Sequence, residues 1–186
     1  MISPVKLHLG CGPKYIPGFI HVDANPYEHV DHLGGVDNLE HIANDSVDLI
    51  YACHVLEHFG RNEFQQVLEE WHRILKPGGV LRLSVPDFAK TVKIYAEKSL
   101  LVDGIMTVMG SLVGGQRDAF DYHKIVFDEA LLDQSLRDAG FQTTSLWDWR
   151  QTEHAHIDDQ SQAYLPHMDK ENGVLMSLNM EAFKEP

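Results

Sequence analysis

Residues 5–23 read VKLHLGCGPKYIPGFIHVD, and they carry the clearest indication of the fold. A strand pattern over residues 5–9 runs directly into a turn that contains Gly10 and Gly12, and a second strand pattern ends on Asp23. Glycines let the backbone turn sharply and approach a ligand closely, because no Cβ is in the way. An acid at the end of the second strand can accept hydrogen bonds from both hydroxyls of a ribose. The pattern therefore predicts a nucleotide-type site at the carboxyl ends of two parallel strands.

The strand and helix patterns after Asp23 alternate along the chain. Strand patterns near residues 30–33 and at residues 47–53 precede a helix pattern over residues 64–75. The apolar residues of this helix recur at the i, i+3, i+4 and i+7 spacing that places them on one face. A strand, a helix that Asp128 can cap and two last strands complete the chain, at residues 80–85, 128–139, 141–149 and 174–183. This order predicts an α/β fold whose largely parallel sheet is flanked by helices and has an antiparallel C-terminal strand pair.

The connection between the first two strands is unusually short. Only twelve residues separate Gly10 from Asp23, and Pro13, Pro17 and Gly18 interrupt them. A crossover between parallel strands usually takes a dozen or more residues and contains a helix. We therefore expect a short turn, or a single helical turn, at this place.

Length and composition bound the class of protein. The 186 residues suit one domain, residues 1–186. The net charge of −13 would repel a nucleic-acid backbone, so we expect a small-molecule substrate and no nucleic-acid partner. The chain has no apolar run of the roughly 18 residues that span a bilayer and begins without a secretory signal pattern, so no membrane association is expected. Two cysteines make no disulfide framework, which favours a cytoplasmic location.

Residues 88–127 are the least regular part of the sequence, and we interpret them as an insertion or lid. Within them, residues 99–115 are apolar but punctuated by four glycines, a pattern that fits either a helix pair or a mobile cover. The stripe of Met and Leu over residues 100–113 is expected to serve as core, lid or homodimer contact.

Seven short segments occur in an order that points to one protein family. They are residues 9–12 (LGCG), 22–23 (VD), 37–39 (DNL), 46–50 (SVDLI), 54–58 (HVLEH), 70–79 (EWHRILKPGG) and 136–141 (LRDAGF). Together they resemble the small class I methyltransferases of the methyltransferase-11 type, which depend on S-adenosylmethionine and have a Rossmann-like fold. The resemblance covers residues 5–85 and 128–149 well and the stretch between them poorly.

The resemblance implies a site for S-adenosylmethionine. Gly10 and Gly12, with Cys11 between them, would pass beneath the methionine part of the cofactor, and Asp23 would hold the ribose. The residues expected around the adenine are Asp37, Asn38 and Leu39, and those expected beside the sulfonium are Cys53 and His54. The implied activity is methyl transfer to a small-molecule acceptor, with a sugar-like molecule as one expectation.

Two histidines are candidates for the catalytic residues. Methyl transfer is an in-line displacement, so the enzyme mainly aligns the nucleophile and excludes water. If the nucleophile is a hydroxyl, a base that is neutral near physiological pH helps, and imidazole suits this role. His54 follows the fourth strand, and His123 lies in the segment expected over the carboxyl ends of the strands. An equally good interpretation of His123 is a hydrogen bond to the backbone.

Other functions fit parts of the same sequence. His54, Glu57 and His58 match H-x-x-E-H, a zinc-hydrolase pattern, although the helix start common in the resembled family needs no metal, and we expect none. A protein of this fold that binds the cofactor without transferring methyl is a further alternative.

One more cluster of metal-ligand residue types lies near the C-terminus. His154, His156 and Asp158 alternate along the chain and would converge if the segment were extended. A solvated loop or a contact with a neighbouring subunit accounts for the same residues.

Overall fold

The structure is a computed structural model that describes residues 3–98 and 100–186. The seven strands of its main sheet are β1 Lys6–Leu9, β2 Ile20–Asp23, β3 His32–Leu33, β4 Val47–Cys53, β5 Leu75–Pro86, β6 Thr143–Leu146 and β9 Ser177–Phe183. They lie in the order β3-β2-β1-β4-β5-β9-β6. Strands β1 to β5 are parallel, and β9 runs antiparallel to both of its neighbours. A separate two-stranded sheet pairs β7 (Tyr164–Leu165) with β8 (Val174–Leu175).

The described residues form four α-helices. They are α1 Phe64–Ile74, α2 Phe88–Glu97, α3 Met106–Val113 and α4 Glu129–Asp138. As predicted, Asp128 caps α4, because its side chain accepts a hydrogen bond from the Leu131 amide. Asp87 caps α2 in the same way through the Lys90 amide. None of the helices in the described ranges combines the length and apolar character that a bilayer-crossing segment needs.

Helices α1 and α4 cover one face of the sheet. The stripe predicted for α1 is buried there against alternate residues of the central strands, such as Ile50 and Leu83. Trp71, which is fully buried, donates its indole N–H to the Val36 carbonyl at 2.8 Å. This bond ties α1 to the loop after β3. Successive residues of a strand point to opposite faces, so the opposite face of the sheet needs a cover other than these two helices.

The opposite face of β1 and β4 is covered by irregular chain rather than by a helix. Residues 10–19, all of them described, contain turns and no helix, which confirms the predicted short crossover. Residues 147–163, here called the tail segment, pack on this face of β1 and β4. The Tyr51 hydroxyl donates to Asp159 at 2.6 Å, and the His154 ring packs 4.4 Å from the Tyr51 ring, centroid to centroid. Ile16 and Phe19 from the short crossover complete this cluster.

The predicted α/β fold is confirmed, with differences in three strands. The segment predicted as one strand, residues 174–183, is divided into β8, which pairs with β7, and β9, which lies in the main sheet. Strand β5 begins at Leu75, directly after α1, and not at the predicted residue 80, because Leu75 already pairs with Val47. The Gly-Gly pair at residues 78–79 lies in a bulge within the strand. Strand β6 covers only Thr143–Leu146, and Trp149 lies in a 3-10 turn instead of extending the strand. In the proposed lid, α2 and α3 pack against each other, while Ser99 lies outside the described residues.

Candidate active site

The glycine turn after β1 is held close to the ends of two neighbouring strands. The Gly10 amide donates to the Val22 carbonyl at 2.8 Å, which fixes the turn beside the end of β2. Gly10 and Gly12 both have positive φ, +61° and +53°, a region that favours glycine. A Cβ on Gly10 would stand 2.5 Å from a methyl carbon of Val55, which follows β4. Position 10 therefore requires glycine for two reasons, conformation and space.

Asp23 ends β2 and connects the turn to the strand. Its Oδ2 accepts a hydrogen bond from the Gly12 amide at 2.7 Å, and its Oδ1 accepts one from the Asn25 amide at 2.8 Å. The residue is only 7% exposed, yet it lines the cleft described next. Each carboxylate oxygen has more than one lone pair, so each can accept a further hydrogen bond. Asp23 can thus hold the turn and still receive two ligand hydroxyls.

A cleft of about 690 Å³ opens at the carboxyl ends of the parallel strands. One wall is the glycine turn with the ends of β2 and β3, and the other consists of residues 54–67 and 117–124. The described lining residues include Gly10, Gly12, Asp23, Tyr27, Val36, Asp37, His54, His58, Phe59, Gln66, Phe120, Tyr122 and Lys124. Ligands of open α/β sheets bind at this edge.

The structure brings five of the predicted cofactor-site residues to the cleft. Gly10, Gly12, Asp23, Asp37 and His54 all line it. They come from the ends of three strands and from the loop after β3. The turn and the acid therefore meet as the spacing predicted.

The four other predicted cofactor-site residues lie elsewhere. Leu39 has no exposed surface and belongs to the core beneath α1, so it cannot contact a ligand in the cleft. Cys11 is buried with its Sγ 3.7 Å from His29 Nε2. Cys53 packs on the opposite face of the sheet beside Tyr51. Asn38 lies in a neighbouring surface depression with Arg73.

A cluster of three histidines and one glutamate lies beside the cleft, and we call His54, Glu57, His58 and His123 the His–Glu cluster. Glu57 and His58 belong to a 3-10 turn, and His54 precedes it with φ +54°. Glu57 Oε1 lies 3.2 Å from His54 Nδ1 and 3.8 Å from His123 Nε2. Glu57 is 1% exposed, and neither carboxylate oxygen has a hydrogen-bond partner among the described residues.

Burial controls the charge of this cluster. Loss of hydration raises the pKa of Glu57 to about 8, because a buried carboxylate is costly. Burial, followed by repulsion from His123 and His58, lowers the pKa of His54 to about 3. Burial also lowers the pKa of His58 and of His123. At neutral pH the three imidazoles are therefore uncharged, and each has a nitrogen lone pair.

His123 lies behind the cleft wall rather than in it. Its side chain is 8% exposed, and its Nδ1 lies 3.2 Å from the Ser111 carbonyl, while its Nε2 faces Glu57. The structure therefore does not place it where it could touch an acceptor directly. It has the backbone hydrogen bond of the alternative interpretation and also a second contact, with Glu57, that the sequence did not suggest.

Residues 114–124, here called the cover segment, form the far wall of the cleft. The Lys124 amide donates to the Glu57 carbonyl at 2.8 Å, which joins the segment to the His–Glu cluster. Asp121 accepts from Arg117 Nε at 2.6 Å and closes the segment on itself. Phe120 and Tyr122 are about half exposed and line the cleft. Sequence reasoning did not single out Phe120 or Tyr122, although Tyr122 lies beside His123 in the segment expected over the strand ends, and it considered His58 only as part of the zinc pattern.

The two alternative metal patterns of the sequence do not form as predicted. His154 is buried under Tyr51, whereas His156 is exposed and Asp158 pairs with Lys170 at the surface, so the three do not converge. In the H-x-x-E-H pattern, His54 Nε2 lies 2.8 Å from the Ser177 hydroxyl. Among the described residues, the ligand atoms of Glu57 and His58 lie close to a ligand atom of His123 instead of to His54 Nε2.

The sequence matches one known family over part of its length. Residues 15–83 match the family model described as a methyltransferase domain. A search of curated proteins found no match to the sequence.

Three solved structures show the likeness in fold. A chain from the complex between the Haloferax volcanii Trm112 methyltransferase activator and a candidate methyltransferase is 17% identical, with a TM-score of 0.59 over 98% of this chain and 83% of that one. A possible histamine N-methyltransferase from Thermotoga maritima is 16% identical, with a TM-score of 0.56 over 100% and 84% of the two chains. The 1,6-didemethyltoxoflavin-N1-methyltransferase of Burkholderia thailandensis, solved with S-adenosylhomocysteine, is 18% identical, with a TM-score of 0.56 over 98% and 72%.

The fold is therefore that of the Rossmann-like, class I methyltransferases. The family match and the solved structures confirm the resemblance of this chain to S-adenosylmethionine-dependent methyltransferases.

Proposed function

We propose that this protein transfers a methyl group from S-adenosylmethionine to a small-molecule acceptor. The observation that carries the proposal is the meeting of the glycine turn with Asp23 in a cleft whose opposite wall holds the His–Glu cluster. The cleft volume of about 690 Å³ lies within the roughly 300–1,000 Å³ typical of small-molecule pockets. The net charge of −13 supports a small acceptor over a nucleic acid.

The residues of the first wall fit the cofactor. Gly12 lines the cleft, and no described atom lies within 4 Å of the place where a Cβ would stand, so its backbone is open to a ligand. We assign the methionine part to Gly10 and Gly12, the ribose hydroxyls to Asp23 and the adenine edge to Asp37. When bound, S-adenosylmethionine supplies an electrophilic methyl group on its sulfonium.

The second wall fits an acceptor. Phe120 and Tyr122 offer apolar and aromatic surface, and Lys124 adds a positive charge in an otherwise acidic protein. We propose that the cover segment acts as part of a lid formed by residues 88–127, which would exclude water from the transfer. A sugar-like or other hydroxylated molecule fits such a mixed polar and aromatic wall.

His54 is the proposed proton acceptor for a hydroxyl acceptor. It lines the cleft and is uncharged at neutral pH, and the Glu57 carboxyl lies 3.2 Å from its Nδ1. His123 touches Glu57 from the other side, so we propose it as a positioning residue.

The test is methyl transfer by the purified protein, followed as S-adenosylhomocysteine release with a panel of hydroxylated small molecules. We expect turnover with at least one acceptor, and His54→Ala should lower kcat by about 100-fold or more, a larger effect than its effect on cofactor affinity. His156→Ala, at an exposed histidine of the tail segment that does not line the cleft, is the matched control. Tight cofactor binding with no turnover on any acceptor would instead support a binding protein of this fold.

A further inference from the structure

Three side chains of the His–Glu cluster bring ligand atoms close to one another. One ligand atom each from Glu57, His58 and His123 lies within 4.8 Å of the other two. Glu57 and His58 come from the 3-10 turn after β4, and His123 comes from the cover segment, so the fold brings together two distant parts of the chain. His123 Nε2 and Glu57 Oε1 are 3.8 Å apart. That distance is below the roughly 4.2 Å that two atoms can span when each lies about 2.1 Å from one ion.

The backbone fixes the tautomers of both imidazoles. His58 Nδ1 lies 3.1 Å from the Tyr122 carbonyl, and His123 Nδ1 lies 3.2 Å from the Ser111 carbonyl. A carbonyl oxygen can only accept a hydrogen bond, so each Nδ1 must carry the proton and each Nε2 presents its lone pair. Metal-binding histidines are held in this way, with the second ring nitrogen donating to a backbone carbonyl or carboxylate.

Glu57 lacks the partner that a buried carboxyl needs. Both of its oxygens are without a hydrogen bond from any residue that the structure describes, although the side chain is 99% covered. His54 Nδ1 is near Oε1 but outside hydrogen-bonding geometry, and its other nitrogen is engaged by the Ser177 hydroxyl. A buried polar group without a partner is costly, and proteins usually pair such groups or coordinate them to a metal.

We propose that Glu57, His58 and His123 bind one divalent transition-metal ion of the zinc class. Two imidazole nitrogens and one carboxylate oxygen suit zinc and similar ions, and three protein ligands leave a coordination position open. His58 lines the cleft, so the open position would face the ligand space. This site replaces the expectation of no metal, and it excludes His54, which the H-x-x-E-H pattern would have used.

The proposal goes beyond methyl transfer, since the site would take up a metal whether or not the methyl donor is present. It can therefore be tested without an activity assay. The full-length protein is treated with a chelator, dialysed and titrated with Zn²⁺ by calorimetry and with Co²⁺ by visible absorption. The variants are His58→Ala, whose side chain is partly exposed, and Glu57→Gln, which preserves shape. His29→Ala, a histidine near Cys11, is the matched control.

We expect one Zn²⁺ per chain, and Co²⁺ absorption typical of nitrogen and oxygen ligands. Affinity should fall by at least about 10-fold in His58→Ala and in Glu57→Gln and stay unchanged in His29→Ala. Zn²⁺ should also raise the Tm of the wild type and of His29→Ala only, because a ligand stabilises the state that binds it. Absence of stoichiometric binding by the wild type, unchanged affinity in both cluster variants, or loss of binding in His29→Ala would overturn the proposal.

Discussion

Asp23 has a structural and a ligand-binding part in this account. Through the Gly12 and Asn25 amides it closes the turn, and through its remaining lone pairs it is assigned to the ribose. The two parts can be separated experimentally, because an asparagine retains one acceptor oxygen but loses the charge, whereas alanine loses both.

Asp23→Ala should weaken binding of S-adenosylhomocysteine by about 10-fold or more, since hydrogen bonds to a charged group contribute roughly 1.5–3 kcal/mol each. Asp23→Asn should lie between this variant and the wild type. Calorimetric titration measures the affinities, and Asp158→Ala, an exposed acid on the tail segment, serves as control. Equal affinity for Asp23→Ala and the wild type would remove Asp23 from the ribose site.

His8 is a second residue whose environment makes a measurable prediction. It lies in β1 on the face covered by the tail segment and is 2% exposed. Burial, followed by repulsion from His21 and His154, lowers the pKa of His8 to about 3 from a usual value of 6.5. Between these two values the unfolded chain binds a proton that the folded protein does not bind. This contribution to stability is complete above pH 6.5 and is lost as the pH falls toward 3.

We predict that the free energy of unfolding falls on acidification from pH 6.5 to pH 5, with His8 contributing up to about 1.4 kcal/mol per pH unit. His8→Leu should remove that part and show a flatter pH dependence. Urea unfolding of both proteins across this range is the measurement. Parallel curves for the two proteins would show that His8 does not couple folding to protonation.

At the scale of elements, the glycine turn is coupled to the loop after β4. Gly10 approaches Val55, and both glycines of the turn have positive φ. Of these two glycines, Gly10 is the one at which an added Cβ would also meet a neighbouring side chain.

Gly10→Ala should therefore destabilise the protein more than Gly12→Ala, which carries only the conformational cost of roughly 1–2 kcal/mol. The double variant Gly10→Ala with Val55→Ala should regain the stability lost to the Cβ clash, but not the stability lost to the positive φ of position 10. Gly12→Ala should fold well and still lose cofactor affinity, because its Cβ would enter the cleft. Thermal unfolding and calorimetry separate the two effects, and equal losses of stability at both positions would contradict the assigned contact.

The elements that the sequence predicted are those with strong local patterns. Strand β4 has the predicted bounds, and α1 and the Asp128 cap follow from periodicity and side-chain chemistry. The bounds of β5 and β6 depend on pairing with β4 and β9, which no local pattern contains. In the site, Gly10, Gly12 and Asp23 meet because they follow adjacent parallel strands. Leu39 and Cys53 are close to site residues in sequence, but Leu39 points into the core and Cys53 points to the opposite face of the sheet. His58 and the cover segment are far apart in sequence and meet at the cleft only in the folded chain.

At the scale of the whole molecule, the two faces of the sheet are covered differently. Helices α1 and α4 cover one face, whereas the short crossover leaves the other to the tail segment. The tail is joined to the sheet by the Tyr51–Asp159 hydrogen bond and by polar pairs such as Lys6–Glu153. Burial raises the pKa of Tyr51 above its usual value, so its hydroxyl remains a donor at physiological pH.

Tyr51→Phe should loosen the tail segment while preserving the core. We expect a loss of about 1.5–3 kcal/mol in the free energy of unfolding, the usual contribution of one hydrogen bond to a charged group. Hydrogen exchange should accelerate in residues 150–163 and stay unchanged in α1. Unchanged exchange in the tail would show that it is held by packing alone.

We assign the methyl donor to the cleft between the glycine turn and the cover segment. A crystal structure of the protein with S-adenosylhomocysteine would locate the ligand. We expect it in this cleft, with the ribose hydroxyls on Asp23 and the amino-acid part beside Gly10 and Gly12. A cleft that stays empty at saturating ligand, or a ligand bound elsewhere, would contradict this assignment.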